Sequence, residues 1–430
     1  IRRQRQMCIR DRITVLCLIG GVTGLALGAT ITVDVGGSGD ELTIQDGMNA
    51  ANPGDTVLVL AGTYTGPDNR DLDCGGTNMV LLSASGAAAT IIDCQNAGRG
   101  FFFDNCEDTT TVVRGFTITK AVADSGGGAF CIIGSSPRFE HCVFYDNFAT
   151  NMGGGLCCRG SSPIIRDCRF EDNIANSGSG SSYGGGMACL DGSAPLVTDT
   201  HFELNDAKTG GGGLSSYDSS PSCERCEFVS NNLNSYGNGG GGVNMAYSDG
   251  ASISYCTFRE NGTTQVIVGA GLMVSSSDVT VTGCDFVDNT AGGSGGAHFV
   301  YSSGGTLSWC TFSGNVSTWG AACGLGIYLG SDPTISNCTF SNNAEDHIWC
   351  SDASPTIEYC ILAFSEAGIP VYCHQGTETP HVHHCFVFGN AAGDTLCGGN
   401  YNDIENSDPL FCNMEGGNLK LCENSPCIAG

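Results

Sequence analysis

Gly153-Gly154-Gly155-Leu156-Cys157-Cys158 opens a unit that closes on Cys168-Arg169-Phe170-Glu171-Asp172-Asn173. The next unit repeats it as Gly184-Gly185-Gly186-Met187-Ala188-Cys189, ending in Thr200-His201-Phe202-Glu203-Leu204-Asn205. The closing word, F-x-x-N, occurs eight times between Phe144 and Asn343 at intervals of 26, 32, 26, 30, 28, 26 and 28 residues. A unit of this size cannot bury its own apolar face and must stack on copies of itself.

Short apolar runs broken by Gly, Ser, Asn and Pro read as strands and turns. Cys142, Cys168, Thr200, Cys226, Cys256, Cys284, Cys310, Cys338, Cys360 and Cys385 align as one column. Two residues later stand Ile118 and then Phe144 through Phe340, Leu362 and Val387; three residues earlier stand Val113, Phe139, Ile165, Val197, Cys223, Ile253 and their successors. These columns are expected to face inward. Beyond the glycines, Leu156-Cys157-Cys158, Met187-Ala188-Cys189, Ile327-Tyr328-Leu329 and Val371-Tyr372-Cys373 read as in, out, in. Parallel strands recurring once per turn give an all-β fold, a right-handed parallel β-helix of roughly a dozen coils. The Asn closing each word is expected to form a hydrogen-bonded ladder along the stack. The Gly triplets supply tight corners. No strand-then-helix context surrounds them, which excludes a nucleotide loop.

The paired F-x-x-N and Gly-Gly-apolar words resemble the repeats of polymorphic outer membrane proteins, within the pectin-lyase-like β-helix superfamily. The resemblance covers about residues 110 to 390. Thr43-Ile44-Gln45-Asp46 to Ala51, with Pro53-Gly54-Asp55-Thr56-Val57-Leu58-Val59-Leu60 and Gly62-Thr63-Tyr64, is similar to the first coil of that superfamily. It predicts a short capping helix whose Ile44, Met48 and Ala51 cover the open end and hide its sheet edge.

Residues 1–12 include Met7-Cys8-Ile9-Arg10-Asp11-Arg12, which reads as a translated sequencing-adapter end. Residues 13–28, ITVLCLIGGVTGLALG, read as a signal peptide, too short for a membrane anchor, so the chain is expected to be secreted or held at the cell surface. The cap and first coils then occupy 29–110, the repeats 111–400, and a tail 401–430 that a further domain or sorting signal is expected to follow. Without residues 1–28 the chain has 12 basic and 43 acidic residues. Such a surface excludes nucleic acid and anionic lipid as partners and suits cation binding.

The chain has 26 cysteines, and an exported chain would ordinarily use them as a disulfide framework. Their columns argue for small buried hydrophobes instead, because stacked parallel side chains are poorly aimed for bonding. Cys131, Cys158, Cys189, Cys350, Cys373 and Cys397 form a second such column. Cys74, Cys94, Cys412, Cys422 and Cys427 are the better disulfide candidates.

This fold hosts lyases, hydrolases, adhesins and scaffolds, so function rests on sites. The resemblance to polysaccharide lyases implies a basic residue beside a uronate, usually with calcium or another cation. Arg166, Arg169, Asp199, His201 and Glu203 are the candidates for such a catalytic cluster, alongside Asp167, Glu171, Arg225 and Glu227; a solvated ladder of alternating charge explains them equally. The sequence has no Asp-Asp pair and no G-H-G word, which weighs against a polygalacturonase-type hydrolase.

Tyr328, Trp349 and Tyr372 read as one outward strip on three coils, with His298 and Phe130 earlier, able to stack on sugar rings or to be covered by a returning tail that includes Leu410 and Phe411. Insertions between Asn and Gly corner place Tyr183, Tyr236 and Trp319 along one edge, either for recognition or by drift in loop length. His381 and His383 share a face and, with His384 and His374, could hold a transition metal or simply form a surface cluster. Asp71 and Asp73 offer oxygen ligands for calcium. The reading that follows is a monomeric, exported, non-catalytic scaffold for an extracellular carbohydrate or a cell-surface partner. Its alternative is a polysaccharide lyase or glycoside hydrolase acting on an extracellular glycan.

Overall fold

The computed structural model describes residues 28–178, 180–234, 239–263, 269–320, 322–413 and 418–428. One coil shows the plan. Arg138–Glu140, Val143–Tyr145, Phe148–Met152 and Leu156–Arg159 are four short strands separated by corners, and each pairs in parallel with its counterpart on the next coil. Stacked, they make sheets I to IV, in coil order, of 15, 13, 8 and 11 strands. Sheet II, with one strand per coil, counts thirteen coils, which agrees with the periodicity.

The inward columns are those the alternation predicts. Phe139, Ile165, Val197, Cys223 and Ile253 stand in register on sheet I, all buried. On sheet II, Phe144 to Phe340 stack face to face, with ring centroids 4.5 to 5.0 Å apart. That distance is the strand spacing itself, about 4.8 Å. Parallel sheets force equivalent side chains into contact coil after coil, so one apolar residue type per position fills the core.

The Asn ladder forms at the corner between sheets II and III. Asn173 Nδ2 donates to Asn205 Oδ1 at 3.0 Å and to the Phe144 carbonyl at 2.8 Å, and the pattern continues to Asn343. The Gly corners lie between sheets III and IV. Gly153 has φ 64°, and a Cβ on Gly154 would sit 2.5 Å from the Gly185 carbonyl oxygen, so coil-to-coil approach demands glycine.

The cysteine column has a second role beyond filling space. Each corner between sheets I and II leaves a backbone N–H pointing along the stack, and the next sulfur accepts it: Cys226 N to Cys256 Sγ 3.3 Å, Cys256 N to Cys284 Sγ 3.4 Å, Cys310 N to Cys338 Sγ 3.4 Å. Thr200 does the same with its hydroxyl. Burial pushes the Cys131, Cys158 and Cys223 thiols well above their ordinary range, which makes them unreactive.

Two readings of cysteine need correction. Cys373 and Cys397, assigned to a reduced column, form a disulfide with Cα atoms 5.7 Å apart, whereas Cys74 and Cys94 are buried and unbonded. Val371–Cys373 is the last strand of sheet IV, so Cys397 approaches from an irregular segment and can aim its sulfur, as a residue in a regular stack cannot.

The cap helix spans Ile44–Ala50, with Thr43 Oγ1 accepting the Asp46 N–H at its start. Ile44 and Met48 are buried in the core and Ala51 packs against it, as the spacing predicts. At the other end, Phe411–Asn413 and Asn418–Leu421 form an antiparallel hairpin, with the Cys412 and Cys422 sulfurs 2.7 Å apart. Among the described residues no helix is long and apolar enough to cross a membrane.

Candidate functional site

The corner between sheets I and II consists of a single residue in the left-handed region, whose side chain is driven outward. Asp167, Asp199, Arg225, Tyr255, Trp309, Tyr359 and His384 hold this position on their coils, with φ between 49° and 59°. Asn, Asp and Gly tolerate this conformation most readily, and aromatic side chains there gain nothing in backbone terms. Tyr255, Trp309 and Tyr359 are nonetheless 64%, 67% and 55% exposed. They recur every second coil, about 10 Å apart at the strand spacing. Gly283, on the coil between Tyr255 and Trp309, leaves room for the Tyr255 ring, which would come within 2.8 Å of a Cβ there. His384 extends the column by stacking on Tyr359 at 5.0 Å and 11°.

Trp309, Tyr359 and His384 of this column line a groove of about 980 Å³. Its floor is the outward face of sheet II, at Thr311, Thr339, Ile361 and Phe386. The tail contributes Leu419, Leu421 and Pro426 to the lining, and Asp403 and Glu405 add two carboxylates. The volume lies at the upper end of the range typical of ligand clefts. Sequence reading missed this column: each member immediately precedes a residue of the cysteine column, a position that Asp167, Asp199 and Arg225 hold on other coils.

The charged candidates are only partly brought together. Arg169, His201 and Glu227 are successive outward residues of sheet II. Arg169 Nε reaches Glu171 at 2.9 Å and its Nη2 reaches Glu203 at 2.5 Å. His201 bridges Glu203 (3.1 Å) and Glu227 (3.0 Å). Asp199 stands at the corner, gripped by Arg225 at 2.7 and 2.9 Å, and this hydrogen bonding holds its carboxyl below the usual range. Arg166 lies on sheet I, in register with Glu140 and Thr198. Acids and bases here satisfy one another on an open sheet face. Exposed pairs of this kind contribute about 0–1 kcal/mol, so His201→Ala is expected to change the unfolding free energy by less than about 1 kcal/mol in urea denaturation. A larger loss would show that the network is structural.

The aromatic strip requires a correction of register. Trp349 pairs with Tyr372 on sheet IV, their rings 4.3 Å apart, but the residue in line with them on the preceding coil is Gly326. Tyr328 pairs with Ser351. Its ring folds back over Gly326 and stacks on His298 at 4.5 Å and 17°. The alternation therefore runs Leu325 in, Gly326 out, Ile327 in, and Leu329 is an exposed corner residue rather than an inward one. Nor do the described residues of the tail cover this strip: Phe411 packs near Phe364, at 6.2 Å, and the hairpin lines the sheet II groove. His298 is buried, and its Nδ1 meets Ser294 Oγ at 3.0 Å; burial lowers its pKa to about 3.

Of the loop aromatics, Tyr183 is half-buried and forms bridges to Met152 and Gly210, Trp319 is 61% exposed, and Tyr236 lies outside the described residues. His381 and His383 flank Val382 on sheet I; His383 is 3.7 Å from Glu358, and His381 Nδ1 is 2.6 Å from Asn400 Nδ2. The His383 and His384 rings are 5.3 Å apart, but His374 lies beside Trp349 on sheet IV, so the four histidines do not converge. Asp71 accepts the Arg99 N–H at 2.9 Å and Asp73 the Gly75 N–H at 2.7 Å. Among the described residues no group of three or more His, Cys, Asp or Glu side chains is placed to hold a metal.

Solved structures similar to this chain include pectate lyase Pel9A, at 14% identity over 90% of this chain and 85% of that one, with a TM-score of 0.41. A mannuronic acid specific family 6 polysaccharide lyase from human gut microbiota is 10% identical over 88% and 82%, with a TM-score of 0.42. The catalytic domain of a GH87 alpha-1,3-glucanase is 9% identical over 91% and 71%, with a TM-score of 0.43. At these scores the likeness carries no argument about what this chain does. A search of curated protein sequences finds no match. The family model for the right-handed β-helix region matches residues 78–241 and 241–408, and with the thirteen parallel coils described above it places this chain in the right-handed β-helix family.

Proposed function

We propose that this chain is an exported, non-catalytic β-helix scaffold that binds extracellular carbohydrate at or near a cell surface. The exposed column Tyr255, Trp309 and Tyr359 carries the reading. Aromatic faces set about 10 Å apart along a straight axis match an extended glycan, in which every second ring presents the same face. Stacking on sugars is a reason to keep large apolar rings in water at corners where Asp or Asn would serve the backbone better. The resemblance of the repeats to polymorphic outer membrane proteins and the apolar run at residues 13–28 support surface display. The mutual pairing of Arg169, His201, Glu203 and Glu227 weighs against a free base for elimination or hydrolysis.

The test measures glycan retention and reducing-end release together, on pectin, alginate, glycosaminoglycan and neutral glycans, with calcium and with chelator. Retention without release is expected. Trp309→Asn and Tyr359→Asn, which keep a residue suited to positive φ, are expected to weaken retention about tenfold each, or roughly 1.4 kcal/mol. Release abolished by Arg169→Ala or His201→Ala would make the protein a glycan-cleaving enzyme instead.

A further inference from the structure

The groove beside the aromatic column has a chemistry that selects among glycans, and this selection rests on the carbohydrate-binding reading above. We propose that it takes a β-linked amino-sugar polymer carrying protonated amines, a glucosamine chain rather than a uronate chain. Three observations converge. Trp309, Tyr359 and His384 stand on three of four successive coils along one wall, a run of about 14 Å that accommodates several pyranose rings. Leu419, Leu421 and Pro426 of the tail add an apolar lining to the same groove. The charged groups lining it are Asp403 and Glu405; among the described residues that line it there is neither Lys nor Arg, and His384 is 3.6 Å from Asp403.

A carboxylated polymer would enter this groove against two like charges and a chain of formal net charge −27. An ammonium group gains both at the aromatic wall and at the carboxylates of Asp403 and Glu405. Over the face of Trp or Tyr it is attracted by the ring quadrupole, and it can donate to the carboxylates that aromatic stacking alone leaves unused. Asp403 also accepts from Asn402 Nδ2 at 3.0 Å and Glu405 from Ser407 Oγ at 3.0 Å. These neutral contacts orient the carboxylates without neutralising their charge.

The experiment is calorimetric titration of the full chain with three oligomers: the fully deacetylated glucosamine hexamer, its fully N-acetylated counterpart, and a hexagalacturonate. It is run at a pH where the amines are protonated, in low and high salt. The deacetylated hexamer is expected to bind about tenfold more tightly than the acetylated one and to lose that advantage in high salt. Asp403→Asn combined with Glu405→Gln is expected to erase the difference and leave the acetylated hexamer unchanged. Both side chains are exposed, so the folded coil is retained. Trp309→Asn should weaken both hexamers. Equal binding of the two, or tighter binding of the galacturonate, overturns the amino-sugar assignment and leaves the carbohydrate reading standing. If no oligomer binds, or if binding is indifferent to Trp309→Asn, the reading of the corner as a glycan surface falls as well.

Discussion

Asn231→Ala is expected to lower the unfolding free energy by about 2–6 kcal/mol, the cost of stranding two buried donors at about 1–3 kcal/mol each. Asn231 Oδ1 accepts both the Asn205 backbone N–H (3.1 Å) and Asn205 Nδ2 (2.9 Å). Its own Nδ2 donates to the Phe202 carbonyl (2.9 Å) and to Asn261 Oδ1 (3.1 Å). The side chain is buried within a corner where alanine offers no replacement. Asn147 begins the ladder: no Asn precedes it, and its Oδ1 accepts the Ala121 N–H at 3.1 Å. Asn147→Ala should therefore cost less than Asn231→Ala. Urea denaturation of the two variants, with hydrogen exchange at the Asn205 amide, measures the gradient. Equal costs at both positions would mean that the amide column is not a cooperative ladder.

Acid is expected to destabilise the fold well before ordinary carboxylates are protonated, through two buried histidines. His347 fills the gap in the ladder where Ser365 stands in place of Asn: its Nδ1 lies 3.1 Å from Asn343 Nδ2 and its Nε2 lies 3.1 Å from the Ala363 carbonyl. A neutral ring protonated on Nε2 satisfies both contacts, whereas a second proton on Nδ1 would confront the Asn343 amide donor. Burial lowers its pKa to about 4, and that of His298 to about 3. The unfolded chain takes up these protons near about pH 6.5, so stability present above that pH is lost as pH falls toward the folded values. Each ring contributes a slope of about 1.4 kcal/mol per pH unit and by itself removes on the order of 3–5 kcal/mol. Asp206 works in the opposite direction, because burial raises its pKa to about 6. The comparison with His347→Gln isolates one histidine: the variant should lose about one proton from the pH slope between about pH 6.5 and about pH 4. An unchanged slope would sink the assignment.

Trp309 and Tyr328 mark the boundary of what could be read. Both are outward aromatics on a coil of known register, and only one was assigned to a site. Trp309 immediately precedes Cys310, a position constrained only to tolerate positive φ, and nothing periodic distinguishes a ring placed there for contact from an Asp placed there for turning. The in, out, in reading of Ile327-Tyr328-Leu329 places Tyr328 in line with Trp349, whereas the register puts Gly326 there, two residues earlier. Arg169, His201 and Glu203 lie side by side because neighbouring coils bring equal positions into contact. Whether they are free or mutually neutralised depends on rotamers, which a sequence does not contain.

From the sequence by itself came the coil repeat, the inward columns, the Asn ladder, the Gly corners and the cap helix, because each interior position is specified again on every coil and one misread residue is outvoted by the rest. Only the tertiary structure decided where the tail returns, that its described residues line the groove at the aromatic corner rather than cover Trp349 and Tyr372, that Cys373 bonds Cys397, and that Tyr328 closes over Gly326. These are single long-range contacts among outward or irregular residues. Each occurs once, so no repetition in the chain announces it.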